Sequence, residues 1–165
     1  MSATKKEILL DQMAACHNDL SWFPTFTDAV KGLTPGQAAW RSHPSSHSIW
    51  ELVQHLIYWN EKWMSYFLDK ETFVSIGKNN DKTFGDPDVE VNEERWNAAV
   101  QRLEAVYTEW RNVLHEYPES KFETQVPGYH DEAPWWGVLS NLCTHNAYHI
   151  GQIVLIRKLQ EQGTE

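Results

Sequence analysis

Apolar residues recur at helical spacing over four long stretches of the chain, separated by polar, Gly- and Pro-containing segments. The first stretch, Thr4 to Val30, places Ile8, Leu9, Met13, Cys16 and Leu20 on one face. Thr4 followed by Glu7 forms a capping-box signature, and Pro24 predicts a kink or restart near Trp22–Thr25. Gly32, Pro35 and Gly36 stop it, so Leu33 to Ser45 reads as turn and loop. The second helix is expected from Ser46 to Leu68, with Ser46 or Ser48 as N-cap. Its apolar face runs from Ile49, Leu52, Val53 and Leu56 to Trp59, Trp63, Tyr66 and Phe67. The third spans Asn92 to Tyr117 and stops at Pro118; the fourth spans Pro134 to Gln160 and is apolar on two sides, which predicts deep burial.

The connections predict the topology. Lys70 to Val89 is a long polar segment, and ~20 residues reach ~66 Å whereas a helix of ~22 residues is only ~33 Å long. That connection can return to the starting end, so helices two and three run parallel, while shorter loops elsewhere imply antiparallel neighbours. No strand alternation is long enough for a sheet, although small hairpins fit the two long loops. An all-α four-helix bundle occupying residues 1–165 as a single domain is the expected fold.

Charge then narrows the partners. The 165 residues carry 14 basic against 23 acidic side chains, a formal charge of -9, without a Lys/Arg cluster. Nucleic acid and anionic membranes call for a basic footprint and are poor partners for such a chain. No apolar run approaches the ~20 residues needed to span a bilayer, and MSATKKEILLDQM lacks the apolar core of a signal peptide, so a cytoplasmic location is expected. Cys16 and Cys143 lie in apolar helical stretches and read as buried free thiols. The nine Trp, six Tyr and six Phe are enough both for a bulky core and for the walls of a small-molecule pocket.

Chemistry concentrates on histidine. In THNAYHIG, His145 and His149 are four residues apart, one helical turn on nearly the same face. His55 lies mid-helix on the apolar face of helix two, where an imidazole needs a partner. If helices two and four are neighbours, His55, His145 and His149 form a three-nitrogen face for a divalent metal, with positions left for water or substrate. The alternative is three buried histidines satisfied by backbone or carboxylates. The HExxH peptidase pattern fails, because Asn146 stands where its Glu would be. Glu51, one turn before His55, and Gln152, three residues after His149, are the groups able to orient an imidazole or bound water. Glu51 also reads as a charge at a helix N-terminus. His43 and His47 are expected at the surface, and His17, His115 and His130 are isolated; His130, shortly before helix four, is placed to overhang the site. Tyr148 faces either the pocket or a neighbouring helix.

The pairing of SIWELVQHLIYWNEKW with THNAYHIGQIVLIRK closely resembles the DinB-like (DinB/YfiT) family, and LTPGQAAWRSHPSSHSIWELVQHL resembles that family's approach to its second helix. The resemblance covers residues 4–160. It implies an up-down-down-up bundle and a nickel or zinc centre on three histidines, by matching position His55, His145 and His149. The resembled family includes thiol-dependent S-transferases and a thiol-dependent isomerase. The function implied is therefore a divalent-metal-dependent enzyme acting on a small molecule, most simply an S-transferase using a low-molecular-weight thiol. The alternatives are a metal-dependent hydrolase and a non-enzymatic metal- or ligand-binding bundle, a stress-related homodimer whose metal is structural. Thiol cofactors often carry carboxylates, for which Arg41 and Arg157 are the cations to watch.

Overall fold

The computed structural model describes residues 3–70, 79–129 and 132–162. The expected positions Glu71–Lys78 of the long connection, and His130, lie outside the described residues. Among the described residues seven α-helices follow in order: α1 Lys5–His17, α2 Phe26–Val30, α3 Pro35–Ala39, α4 Ile49–Phe67, α5 Glu93–Glu116, α6 Glu119–Glu123 and α7 Trp135–Gln162. A 3-10 helix, Asn80–Phe84, lies between α4 and α5. Among the described residues the sole β pairing is an isolated bridge between Gln125 and Pro134.

α1, α4, α5 and α7 are the four long helices, and each packs on two others, α1 and α4 both lying between α5 and α7. Their directions can be read from the contacts. Along α4 and α5, Glu61 meets Arg102 at 2.6 Å, and Phe67 packs on Trp110 and Tyr117 at 5.9 and 5.1 Å between ring centres, so both helices advance together. Against α7 the order reverses: His55 meets His145, whereas Phe67 meets Trp135. Lys6 near the start of α1 donates to the carbonyls of His115 and Tyr117 beyond the middle of α5, and Arg111 earlier in α5 meets Asn18 and Asp19 at the other end of α1. α1 and α5 are therefore antiparallel. The order is up-down-down-up, as expected.

Local chemistry explains the boundaries. Thr4 and Glu7 close the capping box of α1, and Ser48 and Glu51 close that of α4. α1 stops at His17, earlier than the expected kink near Trp22–Thr25. The amides of Asn18 and Asp19 both turn back to the Ala14 carbonyl, and Arg111 holds their side chains. Continuing the helix would gain nothing, because Leu20 and Trp22 are fully exposed, with no core to face. The chain restarts at α2, with Thr25 accepting from the Asp28 amide. The expected loop 33–45 contains α3, whose Thr34–Gln37 capping box and Pro35 at the first turn are both present in the sequence. Its five residues are too few to show a period. α6 is a similar single turn, anchored by buried Phe122.

The nine tryptophans divide. Trp96, Trp110 and Trp135 are core; Trp110 donates to the Asn60 carbonyl and Trp96 to the Leu33 carbonyl. Trp59 and Trp63 of α4 are half-buried and face a cleft toward α7. Cys16 and Cys143 are buried and free, with burial pushing the Cys16 thiol up to about 12. No helix of the described residues is long and apolar enough to cross a membrane.

Candidate metal centre and its cleft

α4 and α7 run antiparallel, which sets the middle of one against the middle of the other and brings three imidazoles together. Nε2 of His145 stands 3.0 Å from Nε2 of His55 and 3.1 Å from Nε2 of His149. One donor atom from each of the three lies within 4.8 Å of the others. Donors held about 2.0–2.1 Å from one zinc ion stand roughly 2.9–3.4 Å apart, so the trio has the scale of a metal face.

The outer nitrogens decide where the protons sit. Thr83 donates its hydroxyl proton to the Asn80 carbonyl at 2.5 Å, so its oxygen is left to accept from Nδ1–H of His55. Oε1 of Gln152, which can only accept, lies 2.6 Å from Nδ1 of His149 and takes its proton, and Nε2 of Gln152 donates to the Tyr148 hydroxyl. Both imidazoles therefore present bare Nε2 lone pairs to the centre. His145 can place at most one proton on its own Nε2, and its Nδ1 is buried without a hydrogen-bond partner. At least one of the two close nitrogen–nitrogen contacts thus lacks a hydrogen of good geometry. A cation would relieve that repulsion, so the residues fit a divalent metal.

Burial keeps the imidazoles neutral. It pushes the His55 imidazole down to about 3 and that of His145 to about 4, with His149 adding to both effects; His149 is lowered as well, chiefly by burial. An unfolded histidine titrates near 6.5. Below that pH the unfolded chain takes up protons that the folded site refuses, so metal-free protein should lose stability as pH falls from about 6.5 toward 4. Urea midpoints measured at intervals over this range should fall more steeply for the native chain than for a His145→Ala variant. Equal slopes would show that these histidines do not carry the effect.

Phe84 extends the site outward. Its ring stacks on His55 at 4.0 Å and on His47 at 3.7 Å, sandwiched between them. The 3-10 helix therefore holds His55 twice, through Thr83 and through Phe84. Sequence reasoning missed both residues, since a short polar connection offers no periodicity from which to infer them. Thr83→Val keeps the shape but removes the acceptor from Nδ1 of His55. The expected result is a zinc affinity ~10–100-fold lower with unchanged helicity, read by competition with a chromogenic chelator.

The other sequence-selected residues fall as follows. Glu51 is buried, and its carboxylate accepts from the Ser48 amide and hydroxyl, pairs with Arg41 at 2.9 Å and faces His47 at 3.6 Å. Arg41 also donates to the Ser46 carbonyl. Arg157 is spent on the carbonyls of Asp28, Ala29 and Lys31 at the end of α2. Asn146 turns away from the histidines into the core, where its amide and that of Asn60 bond reciprocally at 2.8 and 3.1 Å. His43 and His115 are exposed; His17 is buried against Tyr107. Tyr148 is exposed beside the cleft.

The three histidines open into a cleft of about 460 Å³ whose walls include Trp59, Trp63, Tyr129, Val138 and Leu142. A space of that size suits a small molecule.

No curated protein and no solved structure gives a significant match to this chain. A family model described as the DinB superfamily matches residues 22–153, a span that contains α2 through the middle of α7 and all three histidines. By that match and by its up-down-down-up helical bundle, the chain belongs to the DinB superfamily.

Proposed function

We propose that this protein is a divalent-metal-dependent enzyme, with His55, His145 and His149 as its metal ligands, that transfers a low-molecular-weight thiol to a small electrophilic substrate. The observation that carries it is the convergence of three Nε2 atoms at 3.0 and 3.1 Å with too few protons to share. A nickel or zinc ion on three neutral donors keeps its full double charge, which acidifies a thiol or water and polarises a carbonyl. The residues of the chain do the rest. Thr83 and Gln152 hold the Nδ1 protons of His55 and His149, which fixes those two imidazoles in the ligating tautomer. Phe84 stacks on His55, and both His55 and His149 are buried.

Thiol transfer is preferred to peptide hydrolysis because Asn146 occupies the place of the zincin base and points into the core. In the proposed reaction sulfur bonds to the electrophilic centre, the leaving group departs with its electron pair, and the thiol proton passes to solvent. Among the described cleft residues there is no carboxylate or amine to take that proton, and a thiol already acidified needs none.

The test uses protein purified without a histidine tag, reconstituted with zinc or nickel and offered a panel of small thiols with a model electrophile. Thiol consumption that stops on chelation is the expected outcome. Metal-dependent ester cleavage without thiol loss would instead establish the hydrolase reading, and no consumption across the panel would remove transfer.

A further inference from the structure

We propose that the cleft beside the three histidines takes an uncharged, largely aromatic molecule bearing a single donor atom, and rejects ligands with several negative charges. The donor end rests on the proposed metal function; the body of the ligand is set by the walls alone. Trp59, Trp63 and Tyr129 supply aromatic surface, and Val138 and Leu142 supply aliphatic surface. Trp63 and Tyr129 already stand 5.7 Å apart between ring centres, inclined at 60°. A flat ring entering here meets faces and edges of the kind aromatic groups prefer.

The polar groups in the cleft are neutral. Besides the histidines they are Asn80, Asn141 and Tyr148, and no Lys, Arg, Asp or Glu lines it among the described residues. Among the described residues, none of the cations around the cleft enters its lining, and Lys82 of the 3-10 helix is exposed to solvent. Arg41 is paired with Glu51, Arg157 caps α2, and the Lys62 ammonium lies over the Trp59 ring at 4.4 Å without lining the cleft. A ligand with two or three carboxylates would lose hydration here and gain no paired charge in return. Among the described residues, the cleft can satisfy one donor atom at the histidines and neutral hydrogen bonds at Asn80, Asn141 and Tyr148.

A matched pair of fluorescent probes tests this. N-phenyl-naphthylamine is uncharged, and anilinonaphthalene sulfonate has the same rings with one added anion. Titrations of the full-length chain in about 0.15 M salt, where charges beyond ~8 Å are screened, are run once with a chelator and once with zinc. The uncharged probe should bind about tenfold more tightly or better in both. Asn141→Arg places a cation on the cleft wall and should narrow or reverse that preference. Gln101→Arg adds the same charge on the exposed face of α5, outside the cleft, and should leave it unchanged.

Equal or tighter binding of the sulfonate by the native chain would overturn the proposal, as would equal responses to the two arginine substitutions. The chelated arm needs no metal. Preference for the uncharged probe in a chain that never holds zinc would therefore support the cleft assignment while defeating the metal reading.

Discussion

Replacing His145 with alanine is expected to remove stoichiometric zinc or nickel while leaving the far-UV circular dichroism spectrum helical. His145 is the hub of the trio, within 3.1 Å of both partners, whereas His55 and His149 are each held from outside by Thr83 and Gln152. Loss of an outer hydrogen-bond partner costs a metal site ~10–100-fold, and loss of the ligand itself should exceed that. Stability should change little, because Nδ1 of His145 is buried without a partner and its removal breaks no hydrogen bond beyond the trio. His55→Ala should also empty the site. That variant additionally removes the donor to the Thr83 oxygen and unstacks Phe84, so it should loosen the 3-10 helix, seen as faster amide exchange over Asn80–Phe84. Elemental analysis of untagged protein decides the matter. A full complement of metal in His145→Ala would place the ion elsewhere.

The second large effect concerns Asn60 and Asn146, two fully buried amides that bond to each other across α4 and α7. Asn146→Leu leaves Oδ1 of Asn60 without a donor in the core, while its Nδ2 still donates to the Leu56 carbonyl, and should cost about 1–3 kcal/mol, as should Asn60→Leu. The double variant replaces both partners with apolar groups of similar size, so its urea midpoint should return close to that of the native chain. Zinc affinity should not return with it. The reciprocal amide pair is made in the same register of α4 against α7 that sets His55 beside His145, and is expected to favour it. Apolar side chains tolerate sliding where paired amides do not. Native zinc affinity in the double variant would show that packing alone holds the register.

Much of the fold was legible because its long helices bury single faces. The stripe from Leu52 through Leu56 to Phe67 and the two-sided apolarity of α7 follow directly from helical periodicity. The long Lys70–Val89 connection carried the parallel pairing of α4 and α5. The capping box at Thr4 and the N-cap choice of Ser46 or Ser48 marked two starts within a residue or two. The end of α1 was not legible. Leu20 and Trp22 continue its pattern as letters, and only their position beyond the neighbouring helices leaves them without a core to face.

The site divides along the same line. Sequence by itself determined which residues have ligand chemistry: an i, i+4 histidine pair fixed by helix geometry, an inward His55, and Gln152 one turn from His149. Tertiary structure alone decided that those nitrogens meet, because the meeting depends on the register of α4 against α7. It also decided that Thr83 and Phe84, from an aperiodic connection, orient His55, and that Glu51 is engaged with Ser48, Arg41 and His47. Periodicity reports which way a side chain leaves its own helix; what it meets there is set by the packing of a different part of the chain.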